Sequence, residues 1–388
     1  MIGNGRFGQS IYGLLGGAAI VLGSTLVALI GLEVGLRIWD GQPLVPTTNY
    51  VDIELNAVFK PGNSGVRYDD VVGWVHVANQ SSGGNGIFCT MGDEGIRMSS
   101  HQTTPVEPGA ILLVGDSFGA GSEVDDPDSW PAQLERKVGT RVLNAAVGGY
   151  GIDQSVLSAE NLIPRFKPKM LIVQTNLAYG ISSNQMSTAG GAPKPYFIVE
   201  NGKLKLMNSP VPLGVSHTVN IGKARSVLGY SYLVQYAMTR LNLLQWWVGA
   251  VLQTNYALSK EQAVDVSCLL MQRLSHVRDQ YNIPVALVFQ HGALDGIEPT
   301  LGYWEADRTT ITHCAEQEHL PVVDIHPALH AVFQEQGKAA YQQLWVMHDD
   351  GHIYGHMSTR GNQLVASLVF RQLFSAEVSE AKPQRSEP

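Results

Sequence analysis

The stretch Ile111-Leu-Leu-Val-Gly-Asp-Ser-Phe-Gly-Ala120 joins four apolar residues to the triplet Gly115-Asp116-Ser117. A strand buried on both faces reads as a continuous apolar run rather than an alternating one. In open α/β sheets, reactive groups gather just beyond the carboxyl ends of such strands. Gly115 and Gly119 allow a sharp turn at that point. Ser117, presented by the turn, is the first candidate nucleophile.

Working outward from this stretch, strands and helices alternate. Residues 129–137 read as a helix, 141–146 as a strand, 152–162 as a helix and 170–175 as a strand. Later strands are expected at 283–290 and 319–325. Such alternation predicts an α/β fold of three layers, α/β/α, with a mainly parallel sheet. The domain so defined spans 108–375 and carries an insert at about 181–258. Within the insert, 195–206 reads as a hairpin turning at Asn201-Gly202. A helix is expected over 232–252, with Leu243, Leu244, Trp246 and Trp247 at helical spacing. That spacing is usually a core signature, with a membrane-facing or substrate-facing surface as the competing role. The insert as a whole is expected to shape the substrate cleft. Residues 41–107 form a loop-rich lead-in with short strands, punctuated at 60–64 and 79–86. Residues 376–388 are polar, contain two prolines and are expected to form a disordered tail.

The amino terminus carries a separate signal. No charged residue occurs between Arg6 and Glu33, and residues 11–32 are almost wholly apolar or glycine. A helix of that length covers roughly 33 Å, enough for a hydrocarbon core of ~30 Å. A cleaved signal peptide usually has a shorter apolar region and a small-x-small cleavage site, of which residues 24–28 are a poor version. A buried core helix is seldom this long and this free of charge. Residues 1–40 are therefore read as a single-pass membrane anchor. Arg6 before the segment, and Glu33, Arg37 and Asp40 after it, place the main domain outside the cytoplasm by the positive-inside tendency.

The 388 residues carry a formal net charge of −8 and 15% charged residues, which gives no electrostatic footprint for nucleic acid. The three cysteines, Cys89, Cys268 and Cys314, fit neither a zinc site nor a disulfide framework, although one bridge is compatible with an oxidising compartment.

A serine nucleophile needs a base and an oxyanion site. Beyond the second strand lies Asn144-Ala-Ala-Val-Gly-Gly-Tyr-Gly151, whose glycines leave backbone N–H groups unobstructed. Beyond the third lies Gln174-Thr-Asn176, where an amide side chain is available as a donor. Near the carboxyl end, His348-Asp-Asp-Gly-His-Ile-Tyr-Gly-His-Met-Ser-Thr-Arg-Gly361 precedes an expected helix with Ser358 as its N-cap.

These four blocks, in this order, resemble the SGNH (GDSL-type) hydrolases, specifically bacterial membrane-anchored members. The resemblance runs over most of the chain and implies an SGNH, flavodoxin-like fold. It assigns Ser117 as nucleophile and His356 as base. Ser117, Gly149 and Asn176 would supply the oxyanion hole. Two positions depart from the pattern. Leu177 follows Asn176 where the family usually has aspartate, and Ile353 stands three residues before His356 where the family's acid is expected. Either Asp350 reaches His356, or Asp349 and His352 form the pair. The spacing of His356 to Ser358 and Gly361 favours Ser117, His356 and Asp350 as the triad. Asp116 is given no catalytic role.

The resemblance implies acyl transfer through a serine ester, with no cofactor. The expected substrate is an acylated, chiefly acetylated, carbohydrate or lipid outside the bacterial cytoplasmic membrane. An O-acyltransferase of cell-surface or exopolysaccharide is the first alternative, and a degenerate glycan-binding or scaffold protein the second. His348, His352 and His356 recur every four residues, yet Gly351 and Gly355 argue against a helix there, so no metal site is expected.

Overall fold

The computed structural model describes residues 5–46, 49–50, 65–84, 86–105, 108–190, 192–212, 222–241, 243, 247, 254–297, 305–348, 351 and 353–375. The expected tail at 376–388 and the turn at 60–64 lie outside them, as do Leu244 and Trp246. The chain divides into two compact units, residues 1–58 with 215–253, and residues 59–214 with 254–388.

In the first unit, helix α1 (Gly5–Trp39) contains a stretch, Gly16–Trp39, long and apolar enough to cross a membrane, its most apolar 18 successive residues having a mean hydropathy of 2.1. Part of the expected insert packs against the end of this helix. Within the described residues that part comprises two short helices and the buried Trp247, whose indole donates to Gln235 Oε1 at 2.8 Å.

The second unit is built on five parallel strands. These are β5 (Ile111–Val114), β6 (Val142–Asn144), β7 (Met170–Asn176), β13 (Val285–Gln290) and β14 (Val322–Asp324). Each lies inside a segment whose sequence reads as a strand, save that β7 runs one residue further, to Asn176. The spatial order is β14-β13-β7-β5-β6, so the chain adds β6 on one side of β5 and then β7, β13 and β14 in turn on the other, all parallel. The direction of winding reverses between β5 and β7, and ligands of such sheets bind outside the carboxyl ends at that reversal.

Both faces of the sheet are covered, which accounts for the unbroken apolar runs. Ile111, Leu113, Ile172 and Val288 pack with Trp130 and Leu134 of helix α3 (Trp130–Val138) and with Val365 and Val369 of helix α11 (Thr359–Leu373). The alternate residues, Leu112, Leu171 and Leu287, are equally buried. Helices α4 (Ile152–Phe166) and α8 (Lys260–Tyr281) pack together over that side of the unit. Cys268 on α8 is bridged to Cys314 on helix α9 (Glu305–Gln317), with Cα atoms 5.3 Å apart. At the carboxyl end of β14, Asp324 receives His291 at 2.8 Å and Arg308 at 2.6 Å.

The lead-in contributes two antiparallel hairpins, β1 (Val66–Asp69) with β2 (Gly73–His76) and β3 (Ser81–Gly84) with β4 (Ile87–Thr90). The hairpin read at Asn201-Gly202 joins β10 (Tyr196–Glu200) to β11 (Lys203–Met207). Both turn residues have positive φ, 52° and 72°, as a tight two-residue hairpin turn requires.

Candidate active site

The turn after β5 is held by the end of β7. Asp116 caps the short helix α2 (Ser117–Ala120), its carboxylate accepting the Phe118 N–H at 2.8 Å. The same carboxylate accepts the Asn176 N–H and the Gln174 side-chain amide, while Gln174 Oε1 accepts the Asp116 N–H at 3.0 Å. Burial pushes the Asp116 carboxyl up, against the lowering effect of the N–H groups of Asn176, Phe118 and Gly119 and the Gln174 amide. Asp116 thus fixes two strand ends together and is turned away from proton chemistry. A Cβ at position 115 or 119 would stand 2.3 or 2.4 Å from Gln174 Oε1. Glycine at both positions is what lets Gln174 close beneath the serine.

The histidine that faces Ser117 comes from the other end of the chain. Strands β15 (Trp345–His348) and β16 (Ile353–Met357) form a hairpin that feeds α11, and Ser358 Oγ accepts the Gly361 N–H at 3.3 Å as N-cap. His356, on β16, places Nε2 2.9 Å from Ser117 Oγ. Asn362 locks this approach. It accepts the Trp130 N–H at 2.9 Å and donates to Met357 O at 2.9 Å. The Trp130 indole donates to Phe118 O at 3.1 Å, and the Phe118 ring lies 5.1 Å from the imidazole.

The acid beside this histidine is Glu123. Its Oε2 accepts the His356 backbone N–H and lies 3.0 Å from His356 Nδ1, while Oε1 lies 2.7 Å from His348 Nε2. Partial burial pushes the Glu123 carboxyl up, but the bonds from the His356 backbone, the His356 ring and His348 outweigh it and hold the group below the usual glutamate range. Gly355 makes room: a Cβ there would stand 2.5 Å from both Glu123 Oε2 and His348 Nε2.

Glu123 has a left-handed φ of 68°, and its loop is gripped from beneath by Arg97. The buried guanidinium donates to the carbonyls of Ala120, Gly121 and Val124 at 2.7, 2.5 and 2.7 Å, and to Asp126 Oδ1 at 3.0 Å. Two of those carbonyls flank Glu123.

Beside Ser117 lies Gly148-Gly149. A Cβ on Gly148 would be 3.8 Å from the Ser117 Cβ. The Trp74 indole donates to Gly148 O at 3.0 Å, and the Tyr179 hydroxyl to Gly149 O at 3.3 Å. A trans peptide points its N–H opposite to its carbonyl, so the Trp74 bond turns the Gly149 N–H away from Trp74. Gly149 has φ +82°, a conformation open to glycine at no steric cost. Asn176 ends β7 and accepts the Tyr179 N–H through Oδ1 at 3.3 Å, which directs its amide NH2 elsewhere.

The structure therefore brings Ser117 and His356 into hydrogen-bond contact and sets Gly148-Gly149 beside Ser117, with Asn176 closing the adjacent strand. Asp350, Asp349 and His352 lie outside the described residues. Glu123, which occupies His356 Nδ1, was not singled out from sequence. Its one signal is position: an acidic side chain six residues after Ser117, inside a glycine-rich turn. Among the described residues no group of three or more His, Cys, Asp or Glu side chains is placed to hold a metal ion.

No family model and no curated protein matches the chain. Among solved structures it is similar to an acetyl xylan esterase, at 11% identity over 68% of this chain and 99% of that one, with a TM-score of 0.38. A member of the lipolytic protein G-D-S-L family from Veillonella parvula gives 11% identity over 68% and 97%, with a TM-score of 0.35. The likeness is to GDSL-type proteins and acetyl esterases. A two-domain esterase active on acetylated mannans matches at 13% identity, over 73% of this chain and 53% of that one, with a TM-score of 0.37.

Proposed function

We propose that this protein is a serine esterase acting on acyl, chiefly acetyl, esters of a glycan or lipid outside the cytoplasmic membrane. One observation carries the reading: Ser117 Oγ, His356 and the Glu123 carboxylate form an unbroken hydrogen-bonded chain. In the cycle, Ser117 Oγ attacks the ester carbonyl carbon while His356 Nε2 takes its proton. The Gly149 N–H and the Asn176 amide, with the Ser117 N–H, bind the oxyanion. Collapse breaks the bond to the alcohol, which leaves with the proton from His356. Water, deprotonated by the same nitrogen, then splits the acyl-serine ester. Glu123 holds the imidazole tautomer and balances its charge. One oxyanion donor of this kind typically supplies ~3–4 kcal/mol of barrier lowering.

The Cys268–Cys314 bridge favours an oxidising compartment, and the apolar α1 supports the reading of an anchor that leaves the catalytic unit outside. The non-catalytic reading rests on Leu177 after Asn176 and on the irregular Asp/His spacing. With Glu123 beside His356 Nδ1, that spacing no longer argues against turnover.

A fluorophosphonate probe is expected to label the purified chain and not its Ser117→Ala variant, and the variant should lose turnover of an activated acetyl ester. Labelling or turnover retained in a folded variant would overturn the assignment. Product analysis with an added polysaccharide separates hydrolysis, which releases free acetate, from transfer, which yields acetylated glycan.

A further inference from the structure

The chain's net charge is −8, yet residues 215–253 contain Lys223, Arg225 and Arg240 and no aspartate or glutamate. The described part of this segment forms helices α6 (Gly222–Leu228) and α7 (Tyr232–Arg240). It is fastened to the last two turns of α1, immediately after the apolar run that ends at Leu32.

The fastening is specific and polar. Glu33 caps the start of α7, accepting the N–H groups of Tyr232 and Leu233 at 2.8 and 2.7 Å and the Ser231 hydroxyl at 2.8 Å. The buried Arg37 guanidinium donates to Tyr230 O at 2.8 Å. Asn49 donates to Ser226 O at 2.9 Å, and a Cβ on Gly229 would stand 2.1 Å from Asn49 Oδ1. Tyr232 donates to Asp40 at 2.7 Å. A helix pair held this closely to residues 33–40 keeps the height of that end of α1.

The exposed side chains of the pair and its flanks combine the basic Lys223 and Arg240 with apolar groups. Val227 is 70% exposed and Leu241 65%, and the neighbouring Trp39 is 87% exposed. Leu228, Tyr230 and Leu243 are exposed with them. Apolar side chains, aromatic rings and basic residues without acids are the composition of an element lying in the headgroup region of an anionic bilayer. Trp and Tyr concentrate at that level.

We propose that α6 and α7 form a second membrane contact, lying on the anionic lipid surface from which α1 emerges. The inference rests on α1 remaining as a bilayer-spanning anchor. It gives this part of the expected insert, residues 222–240, a lipid partner.

The test uses the full chain with Cys89→Ser, reconstituted into phosphatidylcholine vesicles with or without phosphatidylglycerol. A fluorophore is attached at Val227→Cys, Leu241→Cys or, as a report on the anchor, Thr25→Cys. All three positions lie on exposed surface, so labelling leaves the packing intact. Nitroxide lipids are expected to quench the label at 25 from the acyl region. Headgroup-level nitroxides should quench those at 227 and 241 several-fold more in anionic vesicles than in neutral ones. Quenching at 25 without quenching at 227 and 241 would overturn the proposal while leaving the anchor intact. Equal quenching at 227 and 241 in both lipids would overturn the choice of an anionic surface. No quenching at 25 would overturn the anchor reading itself, and this inference with it.

Discussion

Glu123 and His356 stand 233 positions apart in the chain and meet twice: one carboxylate oxygen accepts both the backbone N–H and the ring nitrogen of the histidine. The double contact fixes where the ring sits as well as which tautomer it adopts. Catalytic triads are recognised by such roles rather than by sequence order.

Replacing Glu123 by glutamine keeps the shape but loses the negative charge that offsets the imidazolium. We expect kcat/KM for an acetyl ester to fall by about 10²–10⁴-fold, the usual range for a general acid–base contribution, with fluorophosphonate labelling slowed in parallel. Asp350→Asn is expected to change the rate far less. Comparable losses in both variants, measured side by side, would return the acid to the position read from sequence.

Gly115→Ala forces a methyl group into the space of Gln174, whose backbone oxygen would also lie only 2.8 Å away. Gln174 is fully buried and bonded to Asp116, so it has no easy retreat. Overpacking of this kind costs typically ~1–3 kcal/mol, readable in urea unfolding, and displaces Ser117 so that esterase activity falls further than stability.

Arg97→Ala leaves Asp126, which is fully buried, without its guanidinium partner. Removing one member of a buried pair costs roughly 3–5 kcal/mol. Chemical denaturation checks this figure. Because the same guanidinium holds the carbonyls around Glu123, the fraction that stays folded should show a lowered kcat with KM little changed.

Asp324 supplies a pH-dependent part of stability. Burial pushes its carboxyl up, but His291, the His326 N–H and Arg308 outweigh this and hold it down at about 2, from 3.8. The unfolded chain therefore takes up a proton here before the folded one does, and stability rises with pH across that interval. The contribution is complete above the unfolded value and is lost as pH falls from 3.8 through about 2. Asp324→Asn should flatten the unfolding profile in that window. An unchanged slope would mean that Asp324 is not the group responsible.

Most of the sheet was legible because its strands are apolar runs bounded by turn residues, and burial on both faces is written into every position of Ile111–Val114. Ser117, Gly149, Asn176 and His356 stand out as candidates in the sequence because each lies at the edge of such an element, where glycine, an N-cap or a strand end marks the boundary; of these, the structure shows Ser117 and His356 in hydrogen-bond contact. Glu123 was not, because a carboxylate in a turn carries no periodicity and its partner lies at the far end of the chain. The alliance of α6 and α7 with α1 was hidden for the same reason: Arg37 meets Tyr230 across 193 positions, and no local pattern encodes such a contact.

Trp74 and Arg97 both precede the nucleophile strand, one fixing Gly148 and the other the loop of Glu123. The segment before Ile111 is therefore inside the machine rather than in front of it. A chain trimmed to begin at β5 would keep Ser117, His356 and Glu123 and lose the braces that hold Gly148 and the loop of Glu123. The smallest piece worth expressing begins before β1.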